Sequence, residues 1–185
     1  MARSDILFVN GYEAQIDNAV SVLRNIPNGA EKAVSLAIGR SLEAGRTQAS
    51  KAVRESYTVK QRDILPTFKM KKGRMFGELW SRGKGLPMSA FQYRPHRETT
   101  GRNRTQVRVT IKKGNTEALR TGFVHNGMIL MRHASEPKVR KAYSVSVPQM
   151  IDKAEVRESV QDRIEEVFLD RVNHEVDRIL AKGKA

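Results

Sequence analysis

Any chemistry in this chain would have to come from its histidines, its clustered acids or its arginines. The four histidines are His96, His125, His133 and His174, and no two of them stand three or four residues apart. That spacing is what would put two metal ligands on one helix face. His174, beside Glu175 in a stretch of helical periodicity, reads as a surface or interface side chain. His125 and His133 flank an expected strand and read as structural or contact residues. Arg82-Gly83-Lys84-Gly85 has the composition of a phosphate loop but not its Gly-x4-Gly-Lys-Ser/Thr spacing, and no helix is expected to follow it. Cysteine is absent, which excludes a thiolate metal site, a cysteine nucleophile and a disulfide framework. The acids Glu158, Asp162, Glu165 and Glu166 have Arg157 and Arg163 interleaved and read as the solvated face of a helix. The sequence predicts no catalytic residue, no metal ligand and no cofactor.

The arginines and lysines carry more information. The chain of 185 residues has a net charge of +14, unevenly placed. Residues 60–113 hold fifteen Lys/Arg against three Asp/Glu, a balance of +12, and the rest of the chain has only +2. A balance of this kind points to nucleic acid or an acidic protein surface as partner; the plainer alternative is a solvated, basic loop or face. Arg82, Lys84, Arg94, Arg97, Arg102, Arg104, Arg108, Lys112 and Lys113 are the candidates for a basic surface, with Phe91 and Tyr93 nearby for stacking. No helix-turn-helix, zinc-finger or RNP-like pattern accompanies them. Residues 152–182 are acidic, with nine acids against six bases. A basic middle and an acidic arm would suit head-to-tail contact between copies, which closes into a ring when repeated by rotation.

These groups must be positioned by recognisable elements. The start, MARSDILFVN, has four consecutive apolar residues, too few for a signal-peptide core or a membrane span, so a soluble protein is expected. A helix is predicted from Tyr12 to Asn25, with Ile16, Ala19, Val20 and Leu23 on one face, ending at Ile26-Pro27-Asn28-Gly29. A longer one is predicted from Ala30 to Ser56. In it Ala33, Ala37, Ser41, Gly45, Ala49, Ala52 and Ser56 form a line of small residues at spacings of three and four. That line invites close approach, by the domain's own core or by a neighbouring subunit. A short helical turn, Lys60 to Leu65, ends at Pro66. Strands are then expected at Phe68–Met70, Met75–Ser81, Ser89–Tyr93, Gln106–Lys112, Ile129–Arg132 and Ala142–Val147, with Gly122–Gly127 as a turn-rich connection. The arginine-rich loop 94–104 has no aliphatic residue and is expected to be mobile when isolated. The last helix is predicted from Asp152, as N-cap, to about Ala181. It would be about 43 Å long at 1.5 Å per residue, with Val156, Val160, Ile164, Val167, Phe168, Val172, Val176 and Ile179 as an apolar stripe. Part of it is expected to project and pack on another subunit, and truncation before Asp152 is expected to abolish assembly.

Three regions carry a family resemblance: RSLEAGRTQASKAVRESYTVK (Arg40–Lys60), the strand Val107–Ile111 with Gly122-Phe123 after it, and Ser146-Val147-Pro148-Gln149-Met150 ahead of the last helix. Here the chain resembles the prophage minor tail protein Z family, the tail-completion proteins of long-tailed phages. The similarity spans most of residues 30–180. Members often have Gly-Pro before the Ser-Val, where this chain has Ser144-Val145.

The resemblance implies a structural virion protein of the tail or neck, assembled in the bacterial host cytoplasm as a ring of six copies at the head-proximal end of the tail tube. It would serve head–tail joining and DNA passage. Its partners would be other copies of itself, the tail terminator or tail tube protein, a head-closure or connector protein, and genomic DNA in the lumen, with no membrane. Subunit contacts would fall on Ser146, Val147, Pro148, Gln149, Met150, Val160, Ile164, Phe168 and Val172; contacts to an acidic neighbour or to DNA would fall on Arg94, Arg97, Arg102, Arg104 and Arg108. Pro148 would set the angle between sheet and helix. The expected fold class is α+β: an antiparallel or mixed β-sheet packed by long N-terminal and C-terminal α-helices. It would form a single domain over 1–185. Within it lie an N-terminal helix and turn (1–29), the small-residue helix (30–66), a basic β-rich region (67–147), and the hinge with its long helix (148–185). The alternative function is a basic nucleic-acid-binding module.

Overall fold

A computed structural model describes residues 2–8, 13–99, 105–132 and 138–183. In chain order the elements are β1 (Ala2–Phe8), α1 (Glu13–Val22), α2 (Gly29–Ser56), α3 (Gln61–Ile64), β2 (Phe68–Lys72), β3 (Gly77–Gly83), β4 (Gly85–Pro87) and β5 (Gln92–Arg94). They continue with β6 (Val107–Thr110), β7 (Thr116–Leu119), β8 (Gly122–His125), β9 (Met128–Arg132), β10 (Val139–Lys141), β11 (Tyr143–Ser146), α4 (Val147–Ile151) and α5 (Ala154–Gly183). The protein is thus mixed helix and sheet, with small antiparallel sheets and a long C-terminal helix. The N-terminal helix differs from expectation: α1 has only 10 residues, and a strand precedes it. It stops early because Ile26 N–H donates to Leu23 O (2.9 Å) and Gly29 N–H to Ile26 O (3.0 Å). These i to i+3 bonds lead through Pro27 into Asn28, whose φ is +57°. Val20, expected on the buried face, is exposed.

The chain divides into two compact units. One comprises Arg3–Ala49, Phe68–Ser81 and Ile151–Ala185. Its sheet has the order β1-β3-β2. The small-residue line of α2 is buried here: Ala33, Ala37, Ser41 and Ala49 have no exposed surface. The neighbour of Gly45 belongs to this same unit. A Cβ built on Gly45 would lie 2.5 Å from both Cδ1 and Cγ1 of Ile164 in α5, and one on Gly77 of β3 would lie 2.5 Å from Ile38 Cγ2 of α2. Backbones therefore meet side chains where a methyl group would not fit. The buried Ser41 hydroxyl is satisfied by donating to Ile38 O at 2.9 Å, the back-bond that small hydroxyl residues make inside helices. Gln48 Nε2 donates to Ser159 Oγ at 2.7 Å, a polar tie between α2 and α5 beside this packing. β2 is an edge strand whose Phe68 is buried and whose Lys69, Met70, Lys71 and Lys72 are exposed.

The apolar stripe of α5 supplies the other half of that core. Val160, Ile164 and Phe168 are fully buried and Val172 is 2% exposed. These four residues were expected to meet a neighbouring subunit; they are interior instead, with Ile164 seated against Gly45 of α2. Truncation before Asp152 would remove this core, so it would report folding ahead of assembly. The N-terminus of α5 also differs. Arg157 N–H donates to Lys153 O at 3.0 Å, which makes Lys153 the N-cap in place of Asp152. Asp152 pairs with Arg157 instead, at 3.8 Å.

The second unit comprises Ser50–Thr67 and Arg82–Met150, with the first two residues. It holds three antiparallel sheets, in the orders β5-β6-β7, β10-β9-β8 and β11-β4. β6 shows the expected alternation, with Val107 and Val109 buried and Arg108 exposed. The segment Gly122–Gly127, expected as a connection, is a strand and a hairpin turn. His125 faces Met128 across a two-residue loop, Asn126 (φ +48°) and Gly127 (φ +69°). Two consecutive left-handed residues form the tight turn whose twist matches paired strands, and Asn-Gly is its preferred sequence. Expected strand 89–93 is split into a 3-10 turn, Met88–Ala90, and β5.

The Gly45–Ile164 contact can be tested by complementary volume changes. Gly45→Val should cost about 1–3 kcal/mol by overpacking, and Ile164→Ala about 2–5 kcal/mol by cavity formation. In urea denaturation the double variant should be more stable than the sum of the two losses predicts, by about 1 kcal/mol or more. Strict additivity would show that the two positions do not share a packing site.

Candidate functional site

Two sets of residues come forward as candidates: the joint Ser146–Met150 and the arginines around β5 and β6. At the joint, β11 ends at Ser146 and α4 begins at Val147. The Ser146 hydroxyl accepts from the Gln149 backbone N–H (3.4 Å), and Gln149 Oε1 accepts from Ser146 N–H (2.9 Å) and from its hydroxyl (3.0 Å). This is a reciprocal capping box, Ser-x-x-Gln, in which cap and third helical residue satisfy each other's exposed donors. Pro148 falls inside the first turn, where a missing N–H costs nothing because it would have no helical acceptor. Ser146, Val147, Pro148 and Met150 are buried within the unit, and only Gln149 is exposed. The motif therefore acts as an internal joint, and four of its five residues are covered by the chain's own fold. Pro148 does lie where strand turns to helix, as expected, but the helix it opens is the five-residue α4. The long helix starts three residues after α4 ends.

The arginines divide differently. β5 pairs antiparallel with β6, and Arg94 stands directly opposite Arg108. β6 pairs with β7, so that Thr110 faces Thr116, and their hydroxyls are hydrogen-bonded at 2.7 Å. Strand alternation puts Gln92, Arg94, Arg108, Thr110 and Thr116 on one face. Together with Tyr93 they line a shallow cleft of about 230 Å³. Val107 and Val109 occupy the opposite face and are buried. The Tyr93 hydroxyl donates to Gly127 O at 3.4 Å, and its ring meets His96 edge-on at a centroid distance of 4.7 Å.

The loop after β5 was expected to be loose, but its first part is held. Thr99 N–H donates to Val124 O (3.3 Å), and Val124 N–H donates back to the Thr99 hydroxyl (3.0 Å). Glu98 accepts from Asn126 N–H at 3.3 Å and pairs with His125 at 3.4 Å. Glu98 and Thr99 are thereby tied to the β8–β9 hairpin, while Arg97 remains exposed. Arg102 and Arg104 lie outside the described residues. The Thr99 and Glu98 clamps had no sequence signal, since the strand they grip had been taken for a connection.

On α5, Glu155, Glu158, Asp162, Glu166 and Asp170 are exposed. Their spacings of three and four place them on the side away from the buried stripe. His174 is exposed on the same helix. Among the described residues there is no group of three or more His, Cys, Asp or Glu able to hold a metal ion, and no helix long and apolar enough to cross a membrane. In comparisons with known proteins the chain matches no family model, no curated protein and no solved structure.

If the Ser146–Gln149 box acts as a unit, Ser146→Ala and Gln149→Ala should each lower stability by about 1 kcal/mol. The double variant should lose little more than either single one, as read from urea midpoints. Additive losses would mean that the two side chains stabilise the joint separately.

Proposed function

We propose that this chain is a structural virion protein, a ring-forming tail-completion protein at the head-proximal end of a phage tail tube. It would contribute to head–tail joining and to the conduit for DNA. The reading is carried by the resemblance of Ser146–Met150 and its flanking regions to the minor tail protein Z family. The capping box offers a physical reason for that motif: Ser, Pro and Gln each have a distinct task at the turn from strand to helix. A joint of this kind sets backbone direction and offers no reacting group, which suits an assembly protein.

The ring contact must use surfaces other than the buried joint and stripe. The chain carries two unlike charged ones. The carboxylates of α5 (Glu155, Glu158, Asp162, Glu166) form one, and Lys69 and Lys71, which strand alternation puts on one face of β2, form the other. Contact between unlike surfaces on successive copies is the arrangement that closes into a ring. Side-chain attraction of this kind weakens with salt.

Sedimentation velocity and negative-stain electron microscopy at low and moderate salt test the proposal. Closed rings are expected at high protein concentration, and Glu158→Lys/Asp162→Lys/Glu166→Lys should shift the population to monomer with the fold intact. A monomer at every concentration, with the protein also missing from purified phage particles, would overturn the reading.

A further inference from the structure

We infer that the β5-β6-β7 face is a binding site for the phosphodiester backbone of duplex DNA, with Arg94 and Arg108 as its anchoring pair. The inference extends the assembly reading but stands on this sheet alone. Directly opposed like charges on neighbouring strands repel each other. Among the described residues no carboxylate lies within ion-pair distance of either guanidinium. The pair is exposed at the floor of the 230 Å³ cleft, so an anion can reach it.

The rest of the cleft favours a phosphate over a carboxylate. Gln92 contributes an amide, and Thr110 and Thr116 contribute hydroxyls, so the site presents donors from three strands around two guanidinium forks. A tetrahedral phosphate offers oxygens in several directions and can use them together, as arginine forks commonly do. Exposed Lys112 and Lys113 follow β6 directly and extend the positive charge along the chain.

The placement of Tyr93 decides the form of nucleic acid. Tyr93 borders the cleft, but its ring meets His96 edge-on and its hydroxyl is tied to Gly127, so its ring is already engaged and is not a free platform for an unpaired base. Single-strand binders depend on such platforms. Guanidiniums, hydroxyls and one amide suit contact with the backbone, which positions a duplex without reading its sequence.

The test is fluorescence anisotropy of the full chain with two unrelated duplexes of about 25 base pairs, in sodium chloride from 50 to 300 mM. Each phosphate contact contributes about 0.9 to the slope of log K against log salt. Arg94→Gln/Arg108→Gln should therefore reduce the slope by about 2 and weaken both duplexes equally, whereas Arg94→Lys/Arg108→Lys should keep most of it. Urea denaturation of the variants checks that folding is unchanged. An unaltered slope in the glutamine variant would overturn the inference. So would loss of polyglutamate binding with DNA affinity retained, because the cleft would then belong to an acidic protein surface. Neither outcome bears on ring formation, which the α5 substitutions test separately.

Discussion

The close approach of α2 and α5 is the constraint on which the first unit depends. Gly45 has no side chain, and the space it leaves is filled by Ile164 at a distance that no Cβ would tolerate. Glycine inside a helix costs about 1 kcal/mol relative to alanine, and here burial of a whole isoleucine, worth about 1.5–3 kcal/mol, offsets that loss. The same geometry decides which face of α5 is hidden. With Val160, Ile164, Phe168 and Val172 turned inward, the carboxylates at 155, 158, 162 and 166 must face outward. A packing requirement on one helix thereby sets the electrostatic surface of another.

The second unit combines a buried apolar core with narrow hydrogen-bonded sheets. Its three sheets are two or three strands wide, so much depends on side chains that close their ends. Thr58 is one example: its hydroxyl donates to Thr110 O and accepts from Gln92 N–H (3.1 Å), joining the segment after α2 to β5 and β6. Thr99 does the same for β8, and Ser146 with Gln149 does it for the exit of β11. Each is a short hydroxyl residue next to a strand end, where the ladder leaves a donor or acceptor unpaired. The cationic face of β5 and β6 is tied to the rest of the unit through Thr58.

Helix α2 was legible nearly to the residue, because small residues at helical spacing and a Pro-Asn-Gly break are local signals. β6 was legible for the same reason, through its alternation of valines. The destination of the apolar stripe on α5 was harder to read. Periodicity tells that a face is apolar, and leaves open whether the covering surface is intramolecular. Gly45 was the available clue, since a glycine in a long helix asks for a close neighbour within reach. β7 and β10 were hidden because they are short and largely exposed, whereas β8 was masked by Gly122 and Asn126-Gly127, which have the composition of a connection. The partnership of Arg94 with Arg108 depends on register between strands separated by a loop, which no local pattern encodes. The Ser146–Gln149 box had its letters in plain view; it went unread because the helix was expected to start six residues later.

The margin of the first sheet has one more consequence. Among the described residues β2 pairs only with β3, and three of the five residues of this edge strand are lysines. Uncovered margins of this type are where chains stack backbone to backbone into insoluble fibres, and ammonium groups discourage such stacking by mutual repulsion. The basic residues of β2 thus work against backbone-to-backbone stacking of copies along this edge.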